Sequence, residues 1–143
     1  MIRYLCTQSS GGGSSYIKTT LNDTPNILPD GNEILLSQDF DNFDELQFFL
    51  CVNDNGLFNY FNVISIPKEV LVKSYEDSNN TSITQIDKGR FGVTISIYAG
   101  NWYACTWQLV AKYKNKLVCA HKDRTGWTAS VCTIYKIVGV KYG

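Results

Sequence analysis

The sequence has little of what a metal centre or a hydrolase needs. A single histidine, His121, stands in 143 residues, and neither G-x-S-x-G nor H-E-x-x-H occurs. Cys119 lies two positions before His121, so a strand would put both side chains on one face, but no third group offers to orient the pair. The five cysteines, Cys6, Cys51, Cys105, Cys119 and Cys132, are odd in number, widely spaced and never form C-x-x-C. They read as free thiols packed in the core of a protein made in a reducing cytoplasm, without the short Cys/His spacing of a zinc site. No apolar run approaches the roughly 20 residues of a membrane span. None follows Arg3 in the way a secretory leader requires. Charge of one sign is also missing: 13 Lys plus Arg balance 13 Asp plus Glu. The nearest basic cluster, Lys112, Lys114 and Lys116, alternates with other residues, so no nucleic-acid partner is expected.

What the chain does have is strand chemistry. Hydrophobic residues make up 44% and charged residues 18%, the balance of a globular chain long enough to bury one core. Nine Tyr, seven Phe and three Trp bring aromatics to 13%, a load that favours β-structure or a ring-rich binding surface. In "FGVTISIYAG", Val93, Ile95 and Ile97 alternate with Thr94, Ser96 and Tyr98, which predicts the first set inside and the second outside. In "LQFFLCV", Leu46, Phe48, Leu50 and Val52 share one face, while Phe49 and Cys51 make the other face apolar too. "NVISIP" ends in Pro67, which suits a strand end. "WYACTWQLVAKY", "KLVCAH" and "TIYKIVGVKY" read as further strands, and "PKEVLVKSYED" as another, with a short helix its alternative.

Turn signals at "NDNG" (53–56), "DKG" (87–89), "AGN" (99–101), "KNK" (114–116) and "RTG" (124–126) separate these runs. The pattern predicts an all-β fold, an antiparallel, jelly-roll-like β-sandwich in which residues 1–143 form a single domain. "SSGGGSS" is expected to be a flexible loop over 9–15, between strands at "IRYLCT" and "YIKTTL". A phosphate cradle would need a helix after the glycines and, in a P-loop, a Lys-Ser/Thr pair, and a strand-like run follows instead.

Two groups of residues invite functional readings. "LSQDFDNFDELQFFL" crowds Asp39, Asp41, Asp44 and Glu45 together. A calcium loop would need a Gly where Asp44 stands and a Glu where Leu50 stands. A glycosidase pair is conceivable in any acid-bearing chain. The better reading is a polar turn feeding a strand, with Phe40 and Phe43 pointing inward. No catalytic, cofactor or metal site is therefore expected, and the chain does not read as an enzyme. The rings Phe58, Tyr60, Phe61, Trp102 and Trp127 lie beside turn signals. They suit the core or a subunit contact, or stacking on a ligand such as a sugar. "NNTS" carries overlapping glycosylation patterns at Asn79 and Asn80, read as an exposed polar loop.

Taken in order, "IRYLCTQSS", "YIKTTL", "EILLSQDFDNFDELQFFL", "NVISIPKEVLV" and "CTIYKIVGVKYG" resemble the small β-rich domains at the ends of bacteriophage tail proteins. The shared features are an aromatic–Asp–Glu step (Phe43-Asp44-Glu45), a strand closing in Ile66-Pro67, and a last strand Ile134-Tyr135-Lys136-Ile137 with a Gly step at Gly139. The resemblance covers most of the chain, and each motif is short and structural. It implies a virion component, made in the host bacterial cytoplasm, of the tail-fibre or tail-tip kind. Its partners would be other tail proteins and a host-surface glycan or protein, with no membrane insertion and no cofactor. The alternatives are a freestanding carbohydrate-binding module and a capsid decoration or adaptor protein. Domains of this kind are usually trimers, and the apolar closing strand reads as an open edge, with a central strand as the bland alternative. A homotrimer is thus expected, with Trp127 and Tyr135 at its interface.

Overall fold

The computed structural model describes residues 15–54, 57–79, 92–100, 102–127 and 132–143, with residues 54 and 57–59 described through their backbone alone. Among these residues period-two alternation produces eight strands: β1 (Tyr16–Asn22), β2 (Glu33–Leu35), β3 (Glu45–Asp54), β4 (Leu57–Pro67), β5 (Val93–Ala99), β6 (Tyr103–Tyr113), β7 (Lys116–Thr125) and β8 (Cys132–Tyr142). They form two antiparallel four-stranded sheets, β1-β8-β3-β4 and β2-β7-β6-β5. The sandwich expected from the alternation is thus present. The outer pairs, β1 with β8 and β2 with β7, wrap as in a jelly roll, while β3–β4 and β5–β6 each stay together as antiparallel neighbours in one sheet. The expected "IRYLCT" strand, the 9–15 loop except Ser15, and the "DKG" turn lie outside the described residues.

One hydrophobic cluster fills the space between the sheets. From β3 it takes Leu46, Phe48, Leu50 and Val52, and from β5 Ile95 and Ile97, the inward sets predicted above. Thr94 is exposed and Ser96 is half-buried, its hydroxyl 2.8 Å from that of Thr106 on the outer face. Each fully buried Leu or Ile contributes about 1.5–3 kcal/mol by leaving water, so this alternation is the main force setting the register. Cys51, Cys105, Cys119 and Cys132 are buried free thiols; Cys6 lies outside the described residues.

The acidic stretch is a corner. Phe40–Asn42 forms a 3₁₀ turn, and Phe40 and Phe43 are buried. Asp41 pairs with Lys114 at 2.9 Å. Asp44 is the knot of the corner: its N–H donates to Val140 O, its C=O accepts from Lys68 N, and its carboxylate accepts the Tyr142 N–H at 2.6 Å. Glu45 accepts the Tyr142 hydroxyl at 2.6 Å. The carboxylates thus tie the start of β3 to the end of β8 and the start of the helix that follows β4. Gly139 completes the junction. A Cβ placed there would sit 2.6–2.8 Å from three ring carbons of Phe43, so only glycine lets that ring lie flat on β8.

Three sequence expectations need correction. "PKEVLVKSYED" belongs not to a strand but to helix α1 (Lys68–Asn79). Leu71, Ser74 and Ser78 are buried at helical spacing, and the adjacent Val70, which reads as β-branched strand material, is exposed. The deciding force is tertiary. β5 begins opposite Leu109, and among the described residues no strand pairs the rest of β6 on that side. The helix covers it: Ser74 Oγ accepts the Ala111 N–H at 3.1 Å, and Asn79 Nδ2 donates to Lys112 O at 3.0 Å. Asn79 therefore closes a helix rather than sitting in a loop, and Asn80 lies outside the described residues.

The second correction concerns β8, which is no open edge: it lies between β1 and β3 and pairs with both. The third concerns Cys119 and His121, which do not share a face. The register Gln108↔His121 and Leu109↔Cys119 leaves Ala120 as a bulge, and a bulged residue turns the chain that follows it. Cys119 stays in the core, while His121 turns out to meet Asp30 at 3.2 Å.

Candidate functional site

Helix α1 closes one end of the sandwich, against the last residues of β6. The opposite end is aromatic. Tyr103 opens β6, roughly 27 Å of strand away from Ala111. Trp127 follows β7, and Tyr60 comes from the early part of β4. Trp127 lies between the two tyrosines, with ring centroids 5.4 Å from Tyr103 and 5.7 Å from Tyr60. Gly126 makes this possible. Its φ of +84° is a left-handed conformation that side chains disfavour, and a Cβ there would strike the Tyr103 ring and come within 2.6 Å of Trp102 O. Arg124 Nη1 donates to Trp127 O at 3.0 Å and fixes the turn.

Exposure grades across this group. Trp127 is 6% exposed, Tyr60 and Tyr103 are 43% each, and Trp102 is 78%. Trp127 is thus the anchor, the tyrosines form a half-open rim, and Trp102 stands out at the turn before β6. Such an arrangement offers rigid ring faces that lose little side-chain entropy on contact.

A second ring group lies on the outer face of the first sheet. Tyr135 packs edge-on to Phe49 at 5.9 Å and to Phe61 at 6.3 Å. Lys136 Nζ sits 5.7 Å over the Phe49 ring. Asp23, Pro25, Cys51, Phe61 and Tyr135 line a 160 Å³ depression there. Burial, and then the nearby Cys51 thiol, raise the Tyr135 phenol above its usual pKa. Tyr60 and Phe61, adjacent in sequence, therefore serve different faces: Tyr60 lies opposite Val52 of the core face, and Phe61 opposite Cys51 of the outer face.

Of the six candidate residues, the structure joins Tyr60 with Trp127, joins Phe61 with Tyr135, and leaves Trp102 as the most exposed large hydrophobic side chain among the described residues. The side chain of Phe58 lies outside the described residues. Sequence reasoning missed Tyr103 and Phe49 as ring partners. The position of Tyr103 beside Trp102 and the "AGN" turn was the available signal.

It also missed Lys122. After the Ala120 bulge this side chain turns towards the core, over the Trp107 ring at 5.2 Å. Its Nζ donates to Ile27 O at 2.6 Å and to Cys132 O at 3.0 Å. Burial holds its pKa below the usual lysine value. Nearby, a hydrogen bond couples the Cys105 and Cys132 thiols, raising the pKa of Cys105 and lowering that of Cys132. Burial pushes Cys119 up to about 11, so it stays a thiol at neutral pH. Among the described residues no three His, Cys, Asp or Glu side chains are placed to hold a metal ion.

Comparison with protein-family models and with curated proteins finds no match. The functional argument therefore rests on the rings and their placement.

Proposed function

We propose that the protein is a binding domain that grips a saccharide of a cell surface with the aromatic end of its sandwich. The observation that carries this reading is the graded set of rings: buried Trp127 backs half-open Tyr60 and Tyr103, beside Trp102 at 78% exposure. Sugars present apolar C–H faces that stack on such rings, and a rigid platform binds them at low entropic cost. The ordered motifs that resemble phage tail domains extend the reading. In that setting the domain is a tail-fibre or tail-tip component of a virion, made in the host bacterial cytoplasm, attaching to host-surface glycan and assembling with other tail proteins. The resemblance also implies a homo-oligomer. With β8 central, the sequence argument for placing its interface on that strand falls away.

A glycan array probed with the labelled protein tests the proposal. Retention of a defined glycan class by the native protein, with at least tenfold weaker binding by Trp102→Ala at unchanged melting temperature, supports it. Full retention by Trp102→Ala and Tyr103→Ala places the contact elsewhere and overturns it.

A further inference from the structure

Among the described strands the four sheet edges differ in kind. On one side of the sandwich lie β1, which carries Lys18 and an irregularity between Thr20 and Asn22, and β2, which is three residues long and carries Glu33. Charge, bulges and brevity are the usual devices that stop an edge from pairing. On the other side lie β4, 11 residues long, and β5, seven residues long, and neither contains a charged residue. The edge of β5 is partly used: Asn62 Nδ2 donates to Ser96 O at 3.1 Å. No described strand pairs the far side of β4. On its outward face Phe61 and Val63 are apolar and open, at 60% and 48% exposure, beside exposed Ser65. Such an edge exposes unpaired backbone donors and acceptors, and its complement is another extended backbone.

We propose that β4 pairs antiparallel with β4 of a second copy of this chain, forming a two-fold dimer with a continuous eight-stranded sheet. Three observations select a second copy. An uncharged strand opposite itself brings no like charges together. The chain's net charge of zero removes long-range repulsion between copies. The pairing also closes: a two-fold contact consumes both β4 edges and leaves the guarded β1 edges as the ends of the joined sheet. Phe61 and Val63 of each copy then form a shared apolar strip that continues into the Phe49–Tyr135 rings. Tyr60 of the ring site also lies on β4, but on the opposite face from Phe61 and Val63, and Trp102 and Tyr103 lie at the start of β6, so the proposal goes beyond the glycan reading and stands without it.

Analytical ultracentrifugation of the full chain from low to high micromolar concentration reads the outcome. The expected species has twice the 16.1 kDa mass of one chain. Val63→Lys and Val63→Glu should each weaken association at least tenfold, an equimolar mixture of the two should restore the dimer, and Trp102→Ala should leave it intact. Amide exchange on the native protein gives a check that needs no variant: β4 amides should slow as concentration rises. A monomer throughout, a trimer, a dimer indifferent to Val63→Lys, or β4 exchange independent of concentration would overturn the proposal.

Discussion

Replacing Gly139 by Ala is the sharpest probe of how the acidic corner is built. The backbone of Gly139 does not adopt the left-handed conformation, so alanine brings no dihedral strain. On propensity alone the change should stabilise a strand by about 0.5–1 kcal/mol. The Phe43 ring opposes it. The added methyl carbon would lie 2.6 Å from Cγ, 2.7 Å from Cδ1 and 2.8 Å from Cδ2. Phe43 is 5% exposed, so the ring has little room to retreat. Overpacking of this kind costs about 1–3 kcal/mol, and a three-atom clash belongs in the upper part of that range. The net expectation is a loss of about 1–2 kcal/mol, or a melting-temperature fall of roughly 3–6 °C for a chain of this size. Urea titration of the four-member cycle with Phe43→Ala separates the clash from other effects. Phe43→Ala alone should cost about 3–5 kcal/mol, and Gly139→Ala should be neutral or favourable in its background, since the methyl group then faces vacated space. A stabilised single variant, or equal costs in both backgrounds, would refute the idea that this contact joins β3 to β8.

Other outcomes follow from the same structure. Ile95→Ala should cost about 2–5 kcal/mol in chemical denaturation, against near neutrality for exposed Thr94→Ala; the reverse order would mean a register wrong by one residue. Calcium should leave the melting temperature unchanged, because Asp41 is held by Lys114 and Asp44 by Tyr142 and the adjacent backbone. A calcium-dependent rise lost in Asp39→Asn plus Asp41→Asn would contradict this. Lys122 is held below its usual value of 10.5 by burial. Between the lowered folded value and 10.5 the unfolded chain binds more protons, so this group makes stability rise with pH across that window. The difference in stability between the native protein and Lys122→Met, followed from neutral pH to pH 10.5, should shift in the native protein's favour as pH rises. A flat difference would place the ammonium in solvent.

The strands were legible because burial on one face imposes a period that survives in the residue string, as Leu46 to Val52 and Val93 to Ile97 show. What was illegible depends on neighbours far away in sequence. Helix α1 owes its place to the length of β6 that no described strand pairs on that side, which Lys68–Asn79 does not reveal by itself. The central position of β8 follows from pairing with β1 and β3, and a central strand and a sticky edge are equally apolar. Lys122 turns inward because of one bulged residue, Ala120, which no local pattern marks. Phe43-Asp44-Glu45 and Gly139 stood out separately in the sequence, and only the fold shows them to be two sides of one contact. At the aromatic end Tyr60, Trp102 and Trp127 were visible beside turns, whereas the stacking of Trp127 between Tyr60 and Tyr103 required three separate elements to meet.

The central claim is that a sugar stacks on the exposed ring at this end, and collisional quenching of tryptophan fluorescence tests it most directly. Trp107 is fully buried, Trp127 is 6% exposed and Trp102 is 78% exposed, so iodide should reach essentially one tryptophan. With a glycan retained on the array added to saturation, the account predicts that the iodide-accessible fraction disappears in the native protein. Saturation that leaves iodide quenching unchanged would contradict it.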